Sequence, residues 1–383
     1  MKNLFFYIHQ TSLIDYYIKP ICHFLSQNYK ITILHLNKKN KQQNKQYTEF
    51  EMIDISDYGV VRIKKLFAQY APAAIILPGF ISIYELYILR LANTLQIPSI
   101  YIEHGIYSHE TSHLPFKKLL SSKISYVLTR NIFFLRRYLD FAIKSNNPRK
   151  ELFILYSALY KKDYSNTQFS HALFFAQYGY EHINRLFKYT SDKVSFMGYP
   201  LAYTNEEFKI YKQLANNVPP KSRKAIYIHQ PFIKDKLTTW SYNDEKKMLI
   251  ELAQKLKETG LTLEIALHPR ESADLYKDLY KNTDIIINTS FNKQNYAYYD
   301  LAIGHYSTAI MYPLFFNKPI YIIDYGVIKS SLESPYAPIN ALDKDKTSNY
   351  SSFKTYFIGE GILSFENIAS TIDKNLLLLN KVS

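Results

Sequence analysis

Two short segments carry the side chains best suited to chemistry on a phosphate group. One of them runs from Gly304 to Ala309, Gly-His-Tyr-Ser-Thr-Ala, and joins an apolar strand pattern to an apolar helix pattern. A helix N-terminus offers unpaired N–H groups and partial positive charge, so this turn suits an anion, and glycine permits a close backbone approach. Ser307 and Thr308 can cap the helix and reach the same anion with their hydroxyls. Helix capping alone explains these residues equally well, without any ligand.

The other segment is His268-Pro269-Arg270, directly after the apolar pattern of residues 263–267. Proline after histidine breaks regular structure, so the imidazole is expected at the tip of a strand. There it can donate a hydrogen bond to a phosphate oxygen and, when protonated, assist a phosphorylated leaving group. Arg270 can add a second cationic contact with the phosphate. The alternative is an ordinary loop histidine that binds no ligand.

A third segment, Glu103-His104-Gly105, follows the strand pattern at residues 99–102. A carboxylate or an imidazole here can take a proton from a hydroxyl nucleophile, and a histidine is near half-protonated around neutral pH. Adjacent side chains on a strand point in opposite directions, so we expect only one of the two to face a substrate. The sequence leaves open whether Glu103 or His104 is the base.

The elements that must position these segments follow a βαβ pattern, in which apolar runs of strand length alternate with amphipathic stretches. Because ligands gather at the carboxyl ends of parallel strands, segments that follow strands of one sheet are expected at one edge. Asn243 is expected to cap a helix that Gly260 closes. Strands are predicted at residues 4–8, 31–36, 50–55, 74–77, 99–102, 125–128, 172–176, 194–197, 225–229, 263–267, 285–287, 301–303 and 320–323, and helices at 13–27, 59–70, 82–95, 206–214, 243–258, 272–281 and 308–316.

The chain is long enough for two domains. Its 383 residues, 47% of them hydrophobic, supply two cores. The proline pair Pro219-Pro220 stands in a polar stretch after a helical pattern, and strands and helices alternate again beyond it. We therefore predict an N-terminal acceptor-side domain at residues 1–218 and a C-terminal nucleotide-binding domain at 219–383, with the option that the last helix packs back on the first domain.

The charge balance favours anionic partners. The 47 Lys and Arg against 33 Asp and Glu give a net charge of +14, which suits phosphate-rich ligands, nucleic acid or an anionic membrane surface, although a generally basic proteome explains it as well.

The single cysteine, Cys22, excludes an internal disulfide framework and a cysteine-based zinc cluster. The basic stretch at residues 38–45 is expected to be a solvated loop, or alternatively an acceptor or membrane contact. No apolar run reaches spanning length, so we expect a cytoplasmic protein, with peripheral contact at the inner membrane as a further option.

Together the three segments resemble bacterial GT-B glycosyltransferases of the sialyltransferase and polysialyltransferase group, which use CMP-activated sugars. Those enzymes carry an acidic pair followed by glycine, then a His-Pro motif, then a serine-threonine motif, and the same order occurs here at Glu103, His268 and Ser307. Gln230-Pro231 also resembles the stretch that opens their nucleotide domain. The resemblance implies an α/β fold of the GT-B type, with two Rossmann-like domains facing a central cleft.

The resemblance also implies roles for individual residues. His268 would contact the CMP phosphate and assist its departure, while Ser307 and Thr308 would hold that phosphate. The remaining donor-site residues would be Gln230, Pro269, Arg270 and Gly304. The implied reaction is an inverting transfer of a sialic acid, a related nonulosonic acid or Kdo to a hydroxyl of a bacterial surface glycan, with a lipid-linked acceptor expected. The CMP-sugar is a co-substrate, and neither a cofactor nor a metal is expected.

The chain departs from that group where the second acidic position is His104. In this it resembles the CDP-glycerol and polyol-phosphate transferases of teichoic acid and capsule synthesis, whose motif is Trp-His-Gly, followed by His-Pro and a serine turn. Both groups use a cytidine nucleotide donor. Gln230-Pro231 and Ser307-Thr308 fit the sugar-transferring group better, so a CMP-sugar is the preferred donor.

Two further classes remain as alternatives. A nucleotide-sugar epimerase has a similar two-domain architecture but would need no acceptor. A single-stranded nucleic-acid-binding protein could stack bases on a basic, Tyr-rich surface. Against it, no RNA-binding motif occurs, and Tyr84 and Tyr87 fall within a helical pattern where packing explains them. Nucleic acid is therefore not an expected partner.

Overall fold

The computed structural model describes residues 1–8, 13–36, 47, 49–79, 82–105, 132–217, 222–234, 238–289, 292–305, 309, 311–323, 350–359 and 364–382. Contacts group these residues into two compact units. Unit 1 takes the described residues up to 205 together with 359 and 364–382, and unit 2 takes those between 206 and 358. The change of unit falls between Asn205 and Glu206, whereas the proline pair predicted it after residue 218. The strand expected at 125–128 and the basic stretch at 38–45 lie outside the described residues.

Unit 1 contains a sheet of seven parallel strands. In chain order they are β1 (Lys2–Ile8), β2 (Tyr29–His35), β3 (Glu51–Asp54), β4 (Ala74–Leu77), β5 (Ser99–Ile102), β6 (His171–Phe174) and β7 (Val194–Phe196). Their order across the sheet is β3-β2-β1-β4-β5-β6-β7. Residues 4–8 of β1 are fully buried, as expected for a central strand covered on both faces. The order reverses between β1 and β4, the kind of point at which doubly wound sheets receive ligands.

Unit 2 contains a second parallel sheet, of five strands. They are β8 (Lys224–Ile228), β9 (Thr262–Ala266), β10 (Ile286–Asn288), β11 (Leu301–Gly304) and β12 (Ile320–Ile322). Their order is β10-β9-β8-β11-β12, so this sheet reverses between β8 and β11. Tyr227, Leu249, Ile265 and Ile303 belong to its buried core.

Helices connect the strands of both sheets. In chain order they are α1 (Lys19–Leu25), α2 (Val60–Tyr70), α3 (Ile83–Thr94), α4 (residues 132–143), α5 (Pro148–Tyr156), α6 (Gln177–Phe187), α7 (Asn205–Asn216), α8 (Tyr242–Glu258), α9 (Lys277–Asn282), α10 (Met311–Phe315), α11 (Tyr350–Ile358) and α12 (Phe365–Val382). Two segments are π-helical, Ile14–Ile18 before α1 and Ser157–Lys161 after α5. In the described part of the chain, no helix combines the length and the apolar character that crossing a bilayer requires.

The start of α8 corrects one prediction. Asn243 is not the cap, because the hydroxyl of Ser241 accepts the N–H of Asp244 and the Asp244 carboxylate accepts the N–H of Ser241. This reciprocal pair satisfies two donors that a single asparagine could not. Gly260 does end the helical segment, with a φ of 77° that favours glycine.

Candidate functional site

Three of the predicted donor-site residues share one edge of the unit 2 sheet. Gln230 lies two residues after β8, His268 two residues after β9, and Gly304 ends β11. These strands are neighbours and run parallel, with β8 between β9 and β11. Gln230 and Gly304 therefore flank the reversal of strand order, where ligands of such sheets bind. Ser307 and Thr308 lie outside the described residues.

The His268 turn presents a hydrogen-bond donor. Nδ1 of His268 accepts the backbone N–H of Arg270 at 3.1 Å, so in the neutral ring the proton is carried by Nε2. The carbonyl of His268 accepts the N–H of Glu271 at 2.8 Å, which closes the turn through the exposed Pro269. The ammonium of Lys234 donates to the carbonyl oxygen of Arg270. A half-buried imidazole with its proton on Nε2 is suited to donate to a phosphate oxygen.

A buried histidine–glutamate–tyrosine cluster holds the segments on either side of this edge. Tyr276, at the end of the 3₁₀ turn after the His268 segment, donates its hydroxyl to Oε2 of Glu245 at 2.6 Å. The Tyr276 oxygen lies 3.0 Å from Nε2 of His229, and that nitrogen lies 3.1 Å from Oε1 of Glu245. Burial and the nearby Glu245 raise the pKa of Tyr276, so its hydroxyl remains a donor. Because His229 precedes Gln230, the cluster ties the end of β8 to the helix α8 and to the His268 segment.

A second buried histidine anchors the end of β11. Nδ1 of His305 donates to the carbonyl oxygen of Ile323 at 2.7 Å, and Nε2 lies 2.7 Å from the hydroxyl of Tyr227, which donates to it. His305 is only 1% exposed. Both ring nitrogens are therefore used to fix the backbone beside Gly304. The sequence had placed His305 in the phosphate-binding turn without this structural role.

In unit 1, Glu103 lies directly after β5 and is 2% exposed. Its Oε2 accepts the backbone N–H of Phe175 at 2.6 Å, just before α6. A Cβ at Gly179 would lie 2.2 Å from Oε1 of Glu103, so only glycine leaves room for the carboxyl group there. Burial raises the pKa of Glu103 to about 8, and the Phe175 hydrogen bond acts in the opposite direction. At neutral pH this carboxyl group is mostly protonated and is a poor proton acceptor.

His104, the adjacent residue, has the opposite character. It is partly exposed, and its Nδ1 is hydrogen-bonded to the carbonyl oxygen of Pro78. A carbonyl oxygen only accepts, so Nδ1 carries the proton and the neutral ring has an unprotonated Nε2. Burial lowers the pKa of His104 from its ordinary value, against a smaller opposite effect of the Pro78 hydrogen bond. His104 is thus an available proton acceptor at neutral pH.

Two residues that shape this pair escaped the sequence analysis. Pro78 follows β4 at the reversal of strand order in unit 1, and its carbonyl orients His104. Gly179 provides the space that the Glu103 carboxyl group occupies. A glycine in the first turn of a helix is a weak signal by itself, and the chain gives no local sign that either residue lies near Glu103.

Comparison with known proteins gives structural relatives only. No protein-family model and no curated protein matches the sequence. The chain is similar to the glycotransferase of kitacinnamycin, at 12% identity and a TM-score of 0.53, over 98% of this chain and 100% of that one. It is also similar to the wall teichoic acid polymerase TagF, at 12% identity and a TM-score of 0.50, over 99% of this chain and 90% of that one.

The chain has a GT-B fold. Its two parallel-sheet units, with seven and five strands, are the two Rossmann-like halves of that fold. This confirms the predicted fold class, α/β of the GT-B type. At 12% identity the likeness concerns the fold and not the substrate.

The buried Glu103 predicts a pH-dependent stability of unit 1. Below pH 4.5 the carboxyl group is protonated in both states; between 4.5 and about 8 it ionises only in the unfolded chain. The folded state then holds more protons, so stability falls as the pH rises through this window. Glu103→Gln keeps an acceptor for the Phe175 N–H and cannot ionise, so it should gain stability over the wild type as the pH rises. Urea unfolding at pH 5, 7 and 9 measures this.

The matched control is Glu49→Gln, which makes the same exchange at an exposed side chain of unit 1. Its stability relative to the wild type should change little across the same pH values. A Glu103→Gln protein whose stability runs parallel to the wild type at every pH would contradict a raised pKa at this residue.

The buried cluster around Tyr276 predicts a cost for losing one hydroxyl. Tyr276→Phe leaves Glu245 and His229 without their shared partner in the core, and should lower the free energy of unfolding by about 1–3 kcal/mol. Tyr87→Phe is the control, because the buried Tyr87 hydroxyl has no hydrogen-bond partner among the described residues. Removing this unpaired hydroxyl should leave the free energy of unfolding unchanged or raise it, and should not lower it. Denaturant unfolding followed by circular dichroism compares them, and equal effects would rule out the bridging role.

Proposed function

We propose that this protein is an inverting glycosyltransferase that moves a sialic acid, a related nonulosonic acid or Kdo from a CMP-activated donor to a hydroxyl of a bacterial surface glycan. The observation that carries the proposal is the turn of His268, which presents an Nε2 donor at the same sheet edge as Gln230 and Gly304. The GT-B fold and the order of the sequence segments support the same conclusion.

The donor step uses the groups of unit 2. The bond from the anomeric carbon to the phosphate oxygen breaks, and its electron pair stays on the phosphate of CMP. Nε2–H of His268 donates to that phosphate and stabilises the added charge. Arg270 adds positive charge from the same turn, and Gly304 allows a close backbone approach. Gln230 is the proposed polar contact from the end of β8.

The acceptor step uses His104. The acceptor oxygen attacks the anomeric carbon while its proton passes to the unprotonated Nε2 of His104. The hydrogen bond from Nδ1 to Pro78 holds the ring in the required tautomer. Glu103, with a pKa raised to about 8, is assigned to support of the loop and not to proton transfer. The base in this proposal is therefore His104.

A polyol-phosphate transferase that uses CDP-glycerol is the second candidate. It is supported by the contrast between Glu103 and His104. The motif of that group has a histidine before the glycine, as His104 stands before Gly105, whereas a buried protonated Glu103 does not behave as one half of an acidic pair. Both candidates use a cytidine nucleotide and the same His268 turn. They differ in the group transferred, which a direct test of donors separates.

The test of donor class is to incubate the purified protein separately with CMP-Neu5Ac, CMP-Kdo and CDP-glycerol and to measure the nucleotide released. Release from a CMP-sugar, with EDTA present as well as absent, is the expected result, since one phosphate can be neutralised by imidazole and backbone N–H groups. Release from CDP-glycerol alone would move the assignment to the second candidate. No release from any of the three would remove the support for a cytidine donor.

The roles of the histidines predict distinct losses of activity. His104→Ala and His268→Ala should each lower kcat by at least about 100-fold while the circular dichroism spectrum is retained. His23→Ala, at an exposed histidine, is the matched control and should keep wild-type activity. Glu103→Gln should remain active at neutral pH. If Glu103→Gln is inactive although folded and His104→Ala is active, the base is Glu103 and the assignment is reversed.

A further inference from the structure

A segment of unit 1 turns its large apolar side chains outward. In α5 and the π-helical turn that follows it, Phe153 is 52% exposed, Tyr156 50% and Tyr160 81%. Leu152 and Leu159, on the same segment, are 44% and 39% exposed. Five large apolar residues within nine positions of one helical segment form a concentrated surface, whereas scattered single exposures need no explanation. We call the exposed side of residues 149–162 the α5 face.

The charged residues of this segment are segregated by sign. Four exposed basic residues flank the apolar ones, two at each end: Arg149, Lys150, Lys161 and Lys162. The single acid of the segment, Glu151, points inward and is 4% exposed. The α5 face therefore carries positive charge with no exposed carboxylate among its own residues.

The inward acid also fixes the orientation of the helix. Both carboxylate oxygens of Glu151 accept from the guanidinium of Arg90 on α3, at 2.6 and 2.9 Å. The hydroxyl of Tyr138 lies 3.3 Å from the backbone oxygen of Glu151 and donates to it. Ile154 and Leu155 are buried on the same inner side. The outward position of the apolar residues is thus set by a buried ion pair and by the core.

Two aromatic rings of this face stack on each other. Tyr156 and Tyr160 are four residues apart, a spacing that places them on one side of a helix, and their ring centroids are 5.2 Å apart. The ammonium of Lys161 lies 5.8 Å from the centre of the Tyr156 ring. The face thereby combines aromatic rings with lysine head groups at the same level.

We infer that the α5 face docks on an anionic lipid bilayer, with Phe153, Tyr156 and Tyr160 at the depth of the head groups and the basic residues on the lipid phosphates. Aromatic side chains beside lysines and arginines are the combination that favours a membrane interface. Each basic residue near such a surface adds to the attraction. The inference does not depend on the proposed transfer reaction, because bilayer binding needs no nucleotide.

Charge argues against the two other occupants. A second copy of the chain would bring the same four positive charges against one another on a two-fold contact. A protein partner is less favoured because lysine is depleted in protein interfaces, whereas lysine chains extend readily to lipid head groups. A bilayer surface also tolerates a convex helical face that has no groove.

The direct test is co-sedimentation of the full chain with vesicles of phosphatidylcholine alone or mixed with phosphatidylglycerol. The wild type should bind the mixed vesicles, and high salt should weaken the binding. Replacing the four basic residues should weaken binding by at least about 100-fold. Replacing the aromatic residues should weaken it by at least about 10-fold. The basic variant combines Arg149→Gln, Lys150→Gln, Lys161→Gln and Lys162→Gln. The aromatic variant combines Phe153→Ser, Tyr156→Ser and Tyr160→Ser.

Matched controls make the same exchanges at exposed positions outside the face. The charge control removes the same number of positive charges, and the apolar control removes the same number of exposed apolar side chains. Both should bind mixed vesicles as the wild type does. The charge control combines Lys212→Gln, Lys247→Gln, Lys255→Gln and Lys374→Gln. The apolar control combines Val61→Ser, Ile210→Ser and Tyr298→Ser.

A second measurement stays valid if a multiple variant fails to fold. Cys22 is fully buried, so a thiol-reactive, environment-sensitive dye can be directed to Tyr160→Cys. Its emission should shift to the blue with mixed vesicles and not with neutral ones, and a dye at Tyr298→Cys should not respond. The inference is overturned if the dye at residue 160 shows no shift with mixed vesicles, or if the wild type binds neutral vesicles as well as mixed ones. It is also overturned if the charge control loses as much binding as the variant that lacks the four basic residues of the α5 face. A dimer in solution that the α5-face variants abolish overturns it too.

Discussion

Parallel pairing of the strands is the constraint from which the candidate site follows. In both described sheets every paired strand runs in the same direction, so each strand delivers the residues after it to the same edge. The reversal of order between β8 and β11 separates their connections at the edge where Gln230 and Gly304 lie. His268 arrives beside them because β9 is the next strand. An antiparallel β9 would have placed the imidazole at the opposite edge.

Burial then decides which polar groups at these edges can act. Glu103 and His104 are adjacent in sequence, but one side chain lies inside against Gly179 and Phe175 and the other is partly exposed beside Pro78. Low polarity disfavours the charged form of both, so the carboxyl group keeps its proton and the imidazole loses its own. The same physical effect therefore makes Glu103 inert toward proton uptake and prepares His104 for it. In unit 2, His229 and His305 are held in the core, and His268 is the histidine that the turn presents.

Charge is distributed unevenly over the surface of unit 1. The chain as a whole carries a net charge of +14, and the single acid of the α5 segment, Glu151, is buried in an ion pair with Arg90. Once that acid is neutralised in the core, the lysines and aromatic rings of the α5 face are left together on the outside. Tyr156 and Tyr160, four residues apart on this side, stack their rings there.

The sequence by itself determined the strands, most of the helices between them, and the placement of His268-Pro269 and Gly304 at strand ends, because alternation of apolar residues and the backbone limits of proline and glycine are local properties. It did not reveal α5, whose outward apolar residues break the amphipathic pattern, nor Ser241 as the cap of α8, which requires a reciprocal bond with Asp244. Only the tertiary structure gave Glu103 and His104 their different surroundings. Phe175 is 72 residues from Glu103 and Pro78 is 26 residues from His104, and burial and hydrogen bonding at such separations depend on how the strands are ordered in the sheet.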